Sequence, residues 1–72
     1  MMSDLDIIHT LTMNQIAMNK ITICFEMPHG EEHIVTTKMF YYKDWCVVVH
    51  DDVTQMVYYI FYENIKWITP KF

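Results

Sequence analysis

A mainly β fold is predicted: a short N-terminal helix, then five antiparallel strands that close, or nearly close, into a small barrel. Three observations carry this. From Ile21 onward, apolar residues alternate with polar ones at a period of two, as half-buried strands require. Polar clusters interrupt the alternation at short intervals, at PHGEE, at Lys43–Asp44 and at Asp51–Asp52. The chain has 72 residues, 53% of them hydrophobic, with one glycine and two prolines, a composition that excludes disordered, collagen-like and linker classes. Closure of the sheet is favoured because it removes edges that invite aggregation.

The elements follow in order. SDLDIIHTLTMNQIAMNK is the one candidate helix, placed at about 4–18. Ser3 is its N-cap, and Asp4 and Asp6 sit in the first turn, where the helix dipole favours them. Ile7, Ile8, Leu11 and Met18 fall near one helical face, broadened by Leu5, Met13 and Ile16. The β-branched Thr10 and Thr12 leave an extra strand as the alternative. In the first strand (21–27), Ile21, Ile23, Phe25 and Met27 alternate with Thr22, Cys24 and Glu26. A second, long strand spans 33–42 and a third 45–50. The fourth covers 53–62, and a short fifth covers 65–69, stopped by Pro70. The whole chain, 1–72, reads as a single domain.

Net charge is −4, with five lysines, no arginine and nine carboxylates. Arginine supplies the fork that pairs bidentately with phosphate and guanine. Five dispersed lysines are a poor electrostatic footprint, so nucleic acid is not the expected partner. The N-terminus MMSDLDII lacks the basic and long apolar segments of a signal peptide. No stretch reaches the length of a membrane span. The expectation is a cytoplasmic protein with no membrane contact and with Cys24 and Cys46 reduced, acting as small hydrophobes.

Chemistry-bearing clusters are few. HGEEH brings His29, Glu31, Glu32 and His33 together, but its spacing matches no metal motif, and Gly30 marks a turn. HDD, His50–Asp52, has a base and carboxylates, yet reads more simply as a turn whose aspartates accept backbone hydrogen bonds. Ser3 is the only serine, Cys46 sits in an apolar strand, and one glycine cannot build a phosphate cradle. The expectation is no enzyme, no metal and no cofactor.

The C-terminal half carries a resemblance. ENIKWITP, with Ile65, Ile68 and Pro70, resembles the end of the second Sm motif of the Hfq-type Sm-like proteins. YYKDWCVVV resembles the region joining their second and third strands. The resemblance implies an Sm/SH3-like barrel and, as one functional alternative, an RNA-binding ring. Two departures weigh against the RNA chemistry. The glycine of the second Sm strand is missing. The tyrosine–lysine–histidine signature is replaced by Phe61, Tyr62 and Glu63, which puts a carboxylate where a cation would meet phosphate. No RNA-binding residue is carried over.

MVYYIFY, Met56–Tyr62, holds the strongest functional signal. Alternation puts Met56, Tyr58, Ile60 and Tyr62 on one face and Val57, Tyr59 and Phe61 on the other. Either both faces are internal, or one is an interface, since these residue types are enriched at binding surfaces. A domain this small buries only about 60% of the surface its unfolded chain exposes, so the run contains more apolar surface than one chain hides. The expected partner-binding residues are Val57, Tyr59 and Phe61, with Trp45 and Trp67 as anchors and the acidic turns Glu31–Glu32 and Asp51–Asp52 as secondary candidates. The function expected is that of a non-enzymatic binding protein, a homo-oligomer (dimer or larger) that occupies a target protein. By size and style it is similar to phage inhibitors of host defence systems such as CRISPR nucleases. A third alternative is an oligomer that sequesters a small molecule between subunits.

Overall fold

The computed structural model describes residues 3–71. One helix, α1 (Asp4–Ile16), precedes six strands: β1 (Lys20–Glu26), β2 (Glu32–Thr37), β3 (Phe40–Tyr42), β4 (Cys46–His50), β5 (Val57–Phe61) and β6 (Ile65–Lys71). A single 3₁₀ turn, Tyr62–Asn64, joins the last two strands. The mainly β fold with an N-terminal helix is therefore present. The closed barrel of five strands is not. The strands form two antiparallel three-stranded sheets, ordered β2–β1–β6 and β3–β4–β5, and β5 does not pair with β6.

The expected second strand, 33–42, divides because of Thr37. Its side chain is fully buried, and its Oγ1 accepts a hydrogen bond from the Met39 N–H at 2.9 Å. This local bond competes with the sheet ladder and bends the chain out of the first sheet. The chain re-enters the second sheet at once, where the Met39 carbonyl accepts from the His50 N–H. The expected fourth strand also shortens, from 53–62 to Val57–Phe61. Asp51 Oδ1 takes the Val53 N–H at 2.9 Å, Thr54 Oγ1 takes the Met56 N–H, and Gln55 adopts a left-handed φ of 64°, so residues 51–56 form a turn. Pro70 does not stop the last strand. β6 lies at a sheet edge, where a residue without an N–H is tolerated.

Ser3 caps α1 by accepting the Asp6 N–H at 3.1 Å. The helix ends at Ile16, short of the expected 18, and Met18 follows with a φ of 58°. Only Ile7, Leu11 and Asn14 of the helix are buried, while Leu5, Met13, Ile16 and Met18 are exposed. Gln15 Nε2 donates to the Phe40 carbonyl, tying α1 to β3.

One apolar cluster fills the space between the sheets. β1 contributes Ile21, Ile23 and Phe25, and β4 and β5 contribute Val47, Val49 and Ile60. Val35, Phe40, Ile65 and Ile68 complete the strand contribution, and Ile7 and Leu11 close it from the helix. The inward residues of β1 alternate as expected, and Met27 lies just beyond the strand, packed partly against the same cluster.

The turn at Asp51 is sensitive to acid. The Val53 N–H bond holds its carboxyl below the usual aspartate value. A depressed folded pKa stabilises the turn above the unfolded value and is lost as pH falls through the folded one. An NMR titration of the Val53 amide should therefore show a midpoint below that of a free aspartate. A midpoint at the ordinary value would mean that the bond does not form.

Candidate functional site

β5 decides which side chains are left outside. Tyr58 and Ile60 point inward: Ile60 is buried, and Tyr58 packs against the core with its ring 5.3 Å from Phe25 and 6.0 Å from His33. Val57, Tyr59 and Phe61 face out, with Tyr59 57% and Phe61 48% exposed. α1 does not cover this face. It packs mainly against β3, β1, β6 and the 3₁₀ turn.

The register assembles the rest of the face. Val48 pairs with Tyr41 on one side and Tyr59 on the other, Cys46 pairs with Phe61, and His50 pairs with Val57. Val48 and Cys46 have no exposed surface, while their ladder partners Tyr41, Tyr59 and Phe61 stay partly open to solvent. Trp45, 54% exposed, tilts against Phe61 at 5.7 Å. Lys43 Nζ lies 5.6 Å from the Tyr59 ring centre, a cation–π distance. The result is an aromatic platform across three strands: Tyr41, Trp45, Val57, Tyr59 and Phe61, with Lys43 at its margin. Patches of this kind mark binding surfaces. Its backing is firm. Buried Tyr62 donates its hydroxyl to the Lys43 carbonyl, pinning the β3–β4 connection beneath the platform, and burial pushes the Tyr62 phenol up.

The same β5 residues hold a free sheet edge. The Asp51 N–H donates to the Met56 carbonyl. Following the ladder from that bond, Val49–Tyr58 and Val47–Ile60 are the hydrogen-bonded pairs. Val57, Tyr59 and Phe61 then turn their N–H and C=O groups away from β4, toward an edge with no strand beside it among the described residues. Along this edge runs a cavity of about 610 Å³, lined by Phe25, Met27, Met56, Tyr58, Ile60 and Glu63 among others. A second cavity of about 350 Å³ adjoins it and shares Glu26 and Glu63.

The other expected site residues are scattered. Trp67 lies on the opposite sheet, in a row with Cys24 and Ile34, away from Tyr59 and Phe61. Glu31 is engaged within the β1–β2 hairpin, 3.5 Å from His33 Nε2. Gly30 takes a φ of 89° there, which glycine alone adopts without strain. Glu32 accepts the Cys24 thiol at 3.6 Å. Asp51 is used by its own turn, and the Asp52 carbonyl accepts from the Gln55 side chain. Tyr41, Lys43 and the groove are not legible from sequence, and Glu63 stands out there only as the carboxylate that replaces a cation of the Sm-like signature. Tyr41 reaches the platform only through pairing with β4, which no local pattern announces.

Among the described residues no three His, Cys, Asp or Glu side chains group as metal ligands, and no helix is long and apolar enough to cross a membrane. No protein-family model, curated protein or solved structure matches the chain.

Cys24 and Cys46 are both free and buried. Desolvation, and next the Glu32 carboxylate, raise the Cys24 thiol. A raised thiol holds little thiolate at neutral pH, and burial blocks approach. A thiol reagent at neutral pH should therefore label the folded protein slowly and the denatured protein fully. Fast labelling of the folded state would mean that Cys24 is not sealed between Ile34 and Trp67.

Proposed function

We propose that this chain is a non-enzymatic binding protein that self-associates and acts by occupying a target protein with the aromatic platform of β3, β4 and β5. The observation that carries the proposal is the outward row Val57, Tyr59 and Phe61, exposed on a strand whose inward Ile60 is buried and whose Tyr58 packs against the core. Tyrosine, tryptophan and phenylalanine bury large areas at low entropic cost, which suits them to anchor a partner. Inhibition of a larger enzyme, in the manner of phage proteins that block host defence nucleases such as those of CRISPR systems, is an activity that such a surface suits. The finer fold we propose is an Sm/SH3-like strand order. Its support is the path from β6 through β1 and β2 into β3, β4 and β5, with β2 and β3 joined by a two-residue bend.

RNA is not the ligand in this reading. The platform carries one lysine, Lys43, and the carboxylate of Glu63 follows two residues after Phe61. Phosphate binding draws its affinity from cations.

The target is identified by affinity purification from the native cell, and the face is tested by alternation. Tyr59→Ala and Phe61→Ala should each weaken target binding by about 2 kcal/mol or more and leave a folded protein. Ile60→Ala should cost the fold about 2–5 kcal/mol, and Tyr58→Ala should also lower stability, because both side chains pack on the core. Thermal melts and binding titrations on the four variants should split into these two classes. Equal destabilisation by all four, with binding unchanged in every folded variant, would end the platform proposal.

Self-association we assign to the other sheet, where Ile34 and Trp67 are exposed on either side of buried Cys24. Sedimentation at micromolar concentration should show a dimer or larger species, and Ile34→Glu with Trp67→Glu should return it to monomer. A monomeric native chain would overturn this assignment without touching the platform.

A further inference from the structure

We infer that the free edge of β5 is a strand-addition site, and that its occupant is an extended segment of the target, apolar on alternate residues and basic at an end. The inference rests on the binding reading above and states how the target is held. Its geometry lies in the seam between the sheets. An added strand has backbone partners at Val57, Tyr59 and Phe61, the residues that turn their N–H and C=O groups outward. Alternate side chains of that strand would enter the groove over Phe25, Met27, Tyr58 and Ile60. The others would extend the platform beside Tyr59 and Phe61. Main-chain bonds supply affinity in this mode, and the groove supplies selectivity.

The four sheet edges are not equivalent. β3 is three residues long, too short to template a partner. β6 contains Pro70, which has no N–H to give, and Lys66. β2 opens with Glu32 and His33 and is followed by Lys38. Short length, proline and charge are the devices that guard edges against pairing. β5, with the sequence VYYIF, has none of them. The proline in β6 also argues against a second copy's β6 as the occupant, because that strand presents an interrupted row of donors.

Charge selects the occupant. Glu26 and Glu63 both line the groove and the cavity beyond it. Lys66 pairs with Glu26 at 3.4 Å, and Glu63 is exposed with no ion pair among the described residues. Glu63 stands in the 3₁₀ turn directly after β5, where the end of an added strand arrives. The chain's net charge of −4 adds long-range attraction for a cationic segment.

The probe is a synthetic peptide of alternating valine and threonine flanked by lysine pairs, about nine residues long. A second peptide replaces the lysines with glutamates. The lysine peptide should shift the Val57, Tyr59 and Phe61 amide resonances and bind at least about tenfold more tightly than the glutamate peptide. Glu63→Lys should reverse that preference. N-methylation of one alternate set of peptide nitrogens should abolish binding, and methylation of the other set should not, since only one set faces β5. Binding by neither peptide, equal binding by both, or indifference to which set is methylated would each overturn the inference. Protection of the three amides in the protein alone, rising with its concentration, would also overturn it, in favour of a second copy. The alanine series on the identified target reads the platform independently. Loss of target affinity in Tyr59→Ala beside a silent peptide would therefore refute strand addition and leave the binding face standing.

Discussion

The two sheets share one apolar interior, and its volume sets what the rest of the chain does. β1 and β4 are the central strands, and their inward residues, Ile21, Ile23, Phe25, Val47 and Val49, meet across it. Protein interiors pack at crystal-like density, so once these positions are filled there is no room for a second set of large side chains. The helix supplies Ile7 and Leu11, with Ile8 partly packed against them. Val35, Phe40, Ile60, Ile65, Ile68 and Tyr62 take the remaining space, and of the aromatic residues left outside most lie on the outward face of β3, β4 and β5.

That surplus is not spread at random. Val48 and Cys46 are sealed although they point away from the core. Their neighbours across the ladder are Tyr41, Tyr59 and Phe61, and Trp45 leans on Phe61. The platform is thus a thin second layer, ordered on its inner side and open on its outer side. Pre-ordered aromatic side chains lose little further freedom on binding, which is why such a layer favours association. The open seam adds backbone groups to the same strand, so β5 joins an apolar face to an unguarded edge.

Local polar bonds shape this arrangement as much as the core does. Thr37 breaks the long second strand, and the Asp51 turn delays the start of β5 until Val57. Extending β5 back to Val53 would have lengthened the hairpin. The turn instead places Met56 at the groove, near Met27 and Pro28. The carboxylates Glu32 and Asp51, which looked like candidate contacts for a partner, are engaged internally by a thiol and a backbone amide. Short polar side chains commonly serve their own turn before any distant ligand.

Much of the local structure was legible because it depends on neighbours in the chain. The Ser3 cap, the alternation of β1, the Gly30 turn and the two faces of β5 follow from period and residue chemistry within a few positions. The strand count and the closure are not legible there, since a hydroxyl–amide bond at Thr37 and the failure of β5 to meet β6 are matters of three-dimensional path. The candidate site was half legible. Val57, Tyr59, Phe61 and Trp45 stand out by composition and alternation, whereas Tyr41, Lys43 and the groove with Glu26 and Glu63 come from segments far apart in the chain. The sequence by itself determined a β-rich chain with more aromatic surface than its core can hold. Only the tertiary structure decided which aromatic residues stay outside and which strand edge stays open, because register across a sheet and the volume of a shared core are properties of segments brought together, not of any one of them.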